Sequence, residues 1–373
     1  MEFKKGSWSV EKIEEIDATD SIGKIFKLSG VKYTNNPNEE TIHYPGKTFM
    51  GTATLYIWHY LYETIAQFEY LKTQIPDLNM VMFSETGHTD ITIEEFLNAM
   101  KEQNFYNKKG VNYFPEPHKY FEDTFKVYVN QKYINNFRTT NVSFDEIYFT
   151  FDQKKAFVDI MQKGIGKFWF GLPHAYWIKP NFETFTKNTR DYFYEIWWRD
   201  LGLMCMRNTW LKELKNDEST TPKKILISRK DANLRYKENT IDAILPLHDR
   251  LIDEDLNNMV EDYFVANGYT SITLEGMGYL EQLRYFKNAE SIVAIIGSGL
   301  CQTFICDHDV NVTEILLNKR YNFSYEFIAE NVGFKLCRLD LRKFSEDKEK
   351  VQNSLEAHLG YLKSLEALKN DKF

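Results

Sequence analysis

The sequence predicts an α/β protein of two domains, the second of them built on a doubly wound parallel sheet. The chain has 373 residues, which is more than one typical core accommodates and enough for two. From residue 224 onward, short apolar runs alternate with segments of helical periodicity, as in a parallel sheet with crossover helices. A polar stretch with a proline, at residues 215–224, precedes that region and marks the predicted domain boundary.

In the first half, periodicity and capping signals predict elements but no strand order. Residues 52–72 carry apolar side chains three and four positions apart, which indicates a long core helix. Thr92 followed by Glu95 forms a capping-box pattern that opens a helix over residues 92–103. One more helix and three strands are predicted in this half, at residues 181–203, 78–83, 125–129 and 144–151.

The second half reads as a regular alternation of strands and helices. Five strands are predicted, at residues 224–228, 271–274, 291–296, 312–317 and 335–339. The helices between and after them are predicted at residues 253–266, 279–288 and 325–331, with a short one from 299 and a last one from 345. The predicted domains are therefore residues 1–215 and 216–344, followed by a C-terminal helical segment, 345–373.

Composition and charge exclude several classes of protein. Lys and Arg number 46 against 54 Asp and Glu, and the net charge of −8, with no basic stripe, argues against nucleic-acid binding. No apolar run approaches the roughly 18 residues of a membrane span, and no apolar signal region is visible, so we expect a cytoplasmic protein. The 4 cysteines and 8 histidines are scattered, which predicts neither a disulfide framework nor a metal centre.

The first candidate binding residues follow the first strand of the second half. In open α/β sheets, ligands bind beyond the carboxyl ends of the strands, and Arg229 and Arg235 lie there. Two guanidinium groups on one loop suit an oxyanion with several acceptors, such as a diphosphate. A solvated basic loop that neutralises nearby acidic residues is the alternative.

A second candidate is the turn that follows the third strand of the second half. Gly297, Ser298 and Gly299 lead directly from the strand into a helix. Small residues there let backbone N–H groups approach a phosphate, and a helix N-terminus favours negative charge. The spacing matches neither the dinucleotide-binding fingerprint nor the P-loop, and a plain tight turn is the alternative.

Glu314 is the third candidate, because it is a carboxylate inside an otherwise apolar strand. A buried carboxylate must be paired or must accept hydrogen bonds, since leaving it bare costs several kcal/mol, on the order of 3–5 when a partner is missing. It could accept from sugar or ribose hydroxyls. Alternatively it is the structural partner of an arginine such as Arg284.

Two further candidates lie in the first half. His59 and Glu63 are four positions apart on the predicted long helix and therefore share a face, so a carboxylate could orient a histidine that acts as a general base. A structural His–Glu pair is the alternative. His174 lies in an aromatic loop together with Trp177, where it could contact an acceptor substrate.

The order and spacing of these motifs resemble glycosyltransferase family 61. The clearest correspondences in the first half are His59, flanked by aromatic residues, and Glu63. In the second half, the resemblance begins with the strand-end arginines Arg229 and Arg235, the Glu-Gln pair Glu281-Gln282 and the Asn-Ala pair Asn288-Ala289. It continues with the glycine turn Gly297 to Leu300, Phe304 and the Glu-Ile strand at Glu314-Ile315. Two positions depart from the family pattern. Ile296 stands where many members have histidine, and Cys301-Gln302 replaces the Thr-Asn type of pair that members usually have.

The resemblance implies a GT-B architecture, with two Rossmann-like domains facing a central cleft and a nucleotide sugar on the second. It further implies an inverting, metal-independent transfer from a UDP-linked sugar to a glycan or glycolipid, with no cofactor. In many GT-B proteins the last helix returns to the first domain, and the pattern of residues 345–373 permits this. The implied donor contacts are Arg229, Arg235, Gln282, Gly297, Ser298, Gly299 and Glu314. The implied base is His59, oriented by Glu63, and the implied acceptor contacts are His174 and Trp177.

A rival interpretation comes from a different functional class. The isoleucine at 296 favours a protein that keeps the transferase fold but only binds a glycan or a partner.

Overall fold

The chain divides into two compact units. They are Met1–Ala99 with Phe121–Lys212, and Met100–Tyr120 with Glu213–Phe373. The computed structural model describes residues 7–17, 24–34, 36–53, 60–84, 91–101, 117–135, 140–150, 199–217, 219–230, 252–295, 297–317 and 324–370. The main division falls close to the predicted boundary at 215, but the segment 100–120 belongs with the second unit.

The first unit contains a mixed six-stranded sheet in the order β1-β3-β8-β4-β5, with β2 beside β3. Its strands are β1 (Ser7–Ser9), β2 (Lys12–Asp17), β3 (Lys24–Thr34), β4 (Thr41–Ala53), β5 (Asn79–Ser84) and β8 (Asn141–Thr150). Strand β3 is antiparallel to β1, β2 and β8, whereas β4 is parallel to β8 and β5. This sheet therefore differs from the parallel sheet of the expected Rossmann-like first domain. The reason is that β2 and β3 follow each other as an antiparallel pair, which a short connection allows.

The predicted strands at 78–83 and 144–151 are confirmed as β5 and β8, but the strand predicted at 125–129 is wrong. Residues 125–128 belong to helix α3 (Pro117–Tyr128). Phe121, Phe125 and Tyr128 recur at helical spacing and are all buried, so they pack one face of that helix. A proline at the first helical position is compatible with such a start.

The other helices of the first unit lie within or next to segments that the sequence predicted to be helical. Residues 60–74 are helical, first as a π-helix (Tyr60–Ile65) and then as α1 (Ala66–Gln74), whereas residues 52–53 belong to β4. Helix α2 (Ile93–Lys101) has the predicted capping box. The Glu95 N–H donates to Thr92 Oγ1 at 3.0 Å, and the Thr92 N–H donates to Glu95 Oε2 at 2.7 Å. Of the helix predicted at 181–203, residues 199–203 fall in α4 (Arg199–Glu213), and residues 181–198 lie outside the described part. A small two-stranded sheet pairs β6 (Ile91–Thr92) with β7 (Tyr133–Ile134).

The second unit contains the predicted parallel sheet, in the order β10-β9-β11-β12-β13. Its strands are β9 (Lys224–Ile227), β10 (Thr270–Ile272), β11 (Ser291–Ile295), β12 (Asn311–Leu316) and β13 (Lys335–Asp340). Its helices are α5 (Glu254–Ala266), α6 (Tyr279–Asn288), a 3-10 helix (Ser298–Ile305), α7 (Ser324–Val332), a 3-10 turn (Arg342–Phe344) and α8 (Lys348–Asn370). Every residue of β11 and β12 is buried, as expected for central strands covered on both faces.

This strand order creates a topological switch point between β9 and β11. From β9 the chain continues to β10 on one side, and from β11 it continues through β12 to β13 on the other. The order corresponds to 2-1-3-4-5 in chain sequence, in which ligands bind where the direction of winding reverses.

Helix α8 packs on the second sheet. Its apolar positions lie three and four residues apart and join one core cluster with Leu226 of β9, Val293 of β11 and Ile315 of β12. The helix positions in that cluster are Val351, Leu355, Leu359 and Leu362. The apolar stripe of α8 is therefore part of the core of the second unit.

His358 lies on α8 and shares a hydrogen bond with β12. Its Nε2 lies 2.9 Å from Thr313 Oγ1. Burial lowers the pKa of His358 below its ordinary value of 6.5. The unfolded chain therefore binds a proton near pH 6.5, whereas the folded protein binds it only at lower pH. The stability contributed by the neutral ring is present above pH 6.5 and declines as the pH falls below that value.

We expect His358→Gln to make the second unit less sensitive to acid. The glutamine keeps a polar atom for Thr313 but does not titrate. Between pH 6.5 and 5.5, wild type should lose less than about 1.4 kcal/mol more than the variant, because solvent screens a half-buried ring. Hydrogen exchange of the β12 amides measures this locally. His308→Gln, at an exposed histidine of the same unit, is the matched control and should follow wild type.

Candidate active site at the switch point of the second sheet

Arg229 and Gly297 lie together at the switch point. Arg229 follows β9 by two residues and Gly297 follows β11 by two. A Cβ atom added to Gly297 would overlap Nη1 of Arg229 and would lie 3.1 Å from its Cζ. Two of the residues that the sequence nominated are thus in direct proximity, and the arginine occupies the volume where a side chain at 297 would lie.

Glycine at 297 leaves space for the Arg229 guanidinium, and the backbone conformation itself does not require glycine. Its φ of 165° and ψ of −179° describe extended backbone, which any residue can adopt. Gly299 is constrained in a similar way, because a Cβ there would lie 2.9 Å from Ile227 Cγ2 and 3.7 Å from Leu274 Cδ1. The turn between β11 and the 3-10 helix therefore packs closely on the end of β9, and its backbone is accessible because neither glycine carries a side chain.

Glu261 of α5 holds the loop that carries Arg229. Ser228 Oγ donates to Glu261 Oε2 at 3.0 Å, and Ser271 Oγ donates to Glu261 Oε1 at 2.7 Å. Lys230 Nζ lies 3.4 Å from the same Oε1. These contacts join the ends of β9 and β10 to α5, so the backbone before and after Arg229 is held in place.

Tyr325, in the first turn of α7, reaches the glycine turn. Its hydroxyl donates a hydrogen bond to the Gly297 carbonyl oxygen, and only 1% of the residue is exposed. Burial raises the pKa of Tyr325 well above its ordinary value, Cys301 and Glu314 raise it further, and the positive charge of Arg229 opposes them. The hydroxyl therefore stays protonated and remains a donor at physiological pH.

Glu314 lies on β12 and is fully buried. Its Oε2 accepts from Arg338 Nε at 2.7 Å, and Arg338 also pairs with Glu326 of α7. Burial raises the pKa of Glu314, while the hydrogen bond and charge of Arg338 oppose that rise. Its other oxygen, Oε1, has no hydrogen-bond partner among the described residues.

The arginine partner of Glu314 is thus Arg338, whereas the sequence suggested Arg284. Arg284 instead pairs with Asp217 in the segment before β9. The physical reason is register, since Glu314 and Arg338 are direct neighbours on the parallel strands β12 and β13.

Gln282 is buried in the interior beside the loop that follows β10. Its Nε2 donates to the Leu274 and Met277 carbonyls at 3.1 and 3.3 Å, and its Oε1 accepts from Gln302 Nε2 at 2.6 Å. The side chain therefore holds the loop after β10 against the 3-10 helix. Its contact with a donor substrate stays a prediction.

Several nominated residues are not placed. His59, Arg235, His174 and Trp177 lie outside the described residues, as does Ile296. Glu63 lies within the π-helix, and Ser298 begins the 3-10 helix, but only the backbone of these two is described. A π-turn next to His59 is of interest because such turns are frequent at functional sites.

Sequence reasoning missed Tyr325 and Arg338. Cys301, which the sequence singled out only as a departure from the family pattern, is fully buried, and burial raises its pKa to about 12, partly offset by a hydrogen bond with Tyr325. Arg338 had a usable signal, because a carboxylate in an apolar central strand requires a cation on an adjacent strand. Tyr325 had none, since its contact with Gly297 depends on tertiary structure.

Comparison with known sequences identifies the class of protein that this fold and site define. A sequence model of the family Glycosyltransferase 61 matches residues 57–313. Because the match spans well over half of the 373 residues, the chain belongs to glycosyltransferase family 61 and is a glycosyltransferase enzyme. The matched region contains Arg229 and the Gly297 turn and ends one residue before Glu314. Comparison with curated proteins finds no match.

Two further features of the described residues concern membranes and metal ions. No helix within the described ranges is long and apolar enough to span a lipid bilayer. In the same ranges, no group of three or more His, Cys, Asp or Glu side chains is arranged to hold a metal ion. Asp307 and Asp309, whose spacing resembles a metal-binding signature, are exposed in the loop before β12, at the amino end of the strand.

We expect Arg338→Met to destabilise the second unit by about 3–5 kcal/mol, because it leaves the buried Glu314 carboxylate without its cation. Adding Glu314→Leu should recover most of that loss, since the pair is then replaced by apolar groups. Hydrogen exchange of β12 measures both variants. If the double variant were as unstable as the single one, the unpaired carboxylate would not be the cause.

Proposed function

We propose that this protein transfers a sugar from a UDP-linked donor to a glycan or glycolipid acceptor, with inversion at the anomeric carbon. Membership of the family supports sugar transfer. The observation that carries the donor side of the proposal is the meeting of Arg229 with the Gly297 turn at the switch point of a parallel sheet. That is where a doubly wound sheet binds its ligand.

The chemistry of the site suits a departing nucleoside diphosphate. A guanidinium binds phosphate oxygens through two parallel hydrogen bonds, and Arg229 is held at the strand end by the contacts of Ser228 and Lys230 with Glu261. The first N–H groups of the 3-10 helix have no partner within that helix and add a positive dipole. As the sugar leaves, charge develops on the diphosphate, and fixed donors of this kind stabilise it. Arg235, on the same loop in sequence, is the proposed second cation.

Other donor contacts are proposed for Ser298, Gly299 and Glu314. Oε1 of Glu314 is the oxygen available to accept from a hydroxyl, because Oε2 is engaged by Arg338. Gly299 contributes backbone without a side chain in the way.

The acceptor side is proposed from the sequence. An inverting transfer needs a base to take the proton of the acceptor hydroxyl during a single displacement. His59 is the proposed base and Glu63 the residue that orients it, while His174 and Trp177 are proposed to contact the acceptor. The GT-B arrangement is part of this proposal, and the parallel second sheet supports its nucleotide-binding half.

We expect at least one of UDP, GDP, ADP and CDP to raise the melting temperature of the protein. Arg229→Ala should weaken binding of that nucleotide by about 1.5–3 kcal/mol, because a charged hydrogen bond is lost. Lys224→Ala is the matched control, since Lys224 is also a cation of β9 but lies at the opposite end of the strand, where it pairs with Glu366. Calorimetric titration measures both variants. Absence of stabilisation by all four nucleotides would refute the proposal, and equal affinities of the two variants would remove Arg229 from the site.

We expect His59→Ala to abolish sugar transfer while nucleotide binding changes by less than about 0.5 kcal/mol, the usual range for a residue without contact to the ligand. The physical reason is that the base acts on the acceptor proton rather than on the donor. Transfer from a radiolabelled nucleotide sugar, together with titration of the nucleotide, separates the two effects. Full turnover in this variant would contradict the role. A wild-type protein that binds nucleotide but neither transfers nor hydrolyses any sugar would contradict the proposed transfer.

A further inference from the structure

The Tyr325 hydroxyl makes a hydrogen bond with the peptide group that connects Gly297 to the 3-10 helix. Gly297 is the residue before that helix, so its carbonyl is also the first acceptor of the helix. The hydroxyl donates to this same carbonyl. Because a peptide group is planar and trans, its N–H points away from its C=O. The N–H of Ser298 must therefore point away from Tyr325.

Without such a contact, the peptide after Gly297 is weakly held. Glycine has no Cβ to restrict the rotation of the peptide group that follows it. The helix it opens is of the 3-10 type, whose hydrogen bonds have poorer geometry than those of an α-helix. A second hydrogen bond to the first carbonyl thus adds orientation where the backbone alone supplies little.

Tyr325 is itself anchored by a buried ionic chain. The next residue of α7, Glu326, pairs with Arg338 of β13, and Arg338 donates to Glu314 of β12 at 2.7 Å. The first turn of α7 is in this way attached to the central strand β12 and to the edge strand β13. The hydroxyl consequently has a fixed position from which to hold the glycine turn.

Arg229 completes the arrangement. Its guanidinium lies against Gly297 in the volume that a side chain would fill, so the position of the glycine turn limits where the guanidinium can lie. The hydroxyl and the guanidinium thus contact the same residue. The hydroxyl donates to the Gly297 carbonyl oxygen, and the guanidinium lies next to its Cα.

We propose that Tyr325 is a positioning residue of the diphosphate site. It fixes the Ser298 N–H and the Arg229 guanidinium so that both donate hydrogen bonds to the same anion. Tyr325 does not contact the anion. It acts by holding the peptide group between Gly297 and Ser298 in one orientation. This inference rests on the proposed function, because it concerns how the same site binds its diphosphate.

The test removes one hydroxyl and leaves the ring in place. Tyr325→Phe should raise the dissociation constant about tenfold for whichever of UDP, GDP, ADP and CDP wild type binds best, which corresponds to about 1.4 kcal/mol. The dissociation constant of inorganic pyrophosphate should rise by the same factor, because the disturbed donors face the phosphates and not the base. Calorimetric titration measures both ligands.

Tyr269→Phe is the matched control. Tyr269 is also a buried tyrosine of the second unit, and its hydroxyl bonds to Ser291 Oγ at 2.7 Å, at the opposite end of β11. It should lose similar thermal stability but bind both ligands as wild type does. This comparison separates a positioning effect from a general loss of packing.

The outcomes distinguish the inference from the function on which it rests. If wild type binds none of the four nucleotides, the proposed function fails. If wild type binds but Tyr325→Phe binds equally well, the positioning role is wrong and the proposed function stands. If both phenylalanine variants lose affinity equally, or if only the nucleotide and not pyrophosphate is affected, the positioning role is also overturned.

Discussion

The candidate site at the switch point of the second sheet depends on a guanidinium that occupies the volume left by a missing side chain. Arg229 comes from the end of one strand and Gly297 from the end of its neighbour, and they meet because the sheet reverses its winding between those strands. A parallel sheet places both strand ends at one edge. The other features of the site either hold the loop of Arg229, as Glu261 does, or hold the glycine turn, as Tyr325 does.

Charge in the interior is balanced around this contact. The carboxylate of Glu314 lies in the middle of a fully buried strand, and it is tolerated because Arg338 lies beside it on the neighbouring strand. Glu326 adds a second acid to the same guanidinium. A buried ion pair of this kind contributes little net stability, since desolvation offsets most of the attraction, but it restricts the relative positions of the elements that carry it. Here those elements are β12, β13 and α7.

Much of the second unit could be predicted from the sequence, and much of the first could not, for identifiable reasons. The elements of the second unit are local signals, and a parallel sheet follows from their alternation. The five residues from Phe125 look like a strand in a short window, and only the helical spacing from Phe121 shows otherwise. The first sheet depends on pairs such as Phe26 with Phe149, which are far apart in the chain. For the site, the strand-end rule nominated Arg229 and Gly297, and the carboxylate inside an apolar strand nominated Glu314. Tyr325 belongs to a helix whose contact with the turn arises only on folding.

The interlocking of Arg229 with Gly297 couples two positions in evolution. A side chain at 297 and the guanidinium of Arg229 in its present position claim the same volume, so one of them has to move. Because the guanidinium is the end of a flexible side chain, a lineage that gains a β-carbon at 297 keeps an arginine at 229 only by redirecting it away from the turn. A glycine at 297 is therefore the condition for a guanidinium that lies directly against the turn between β11 and the 3-10 helix.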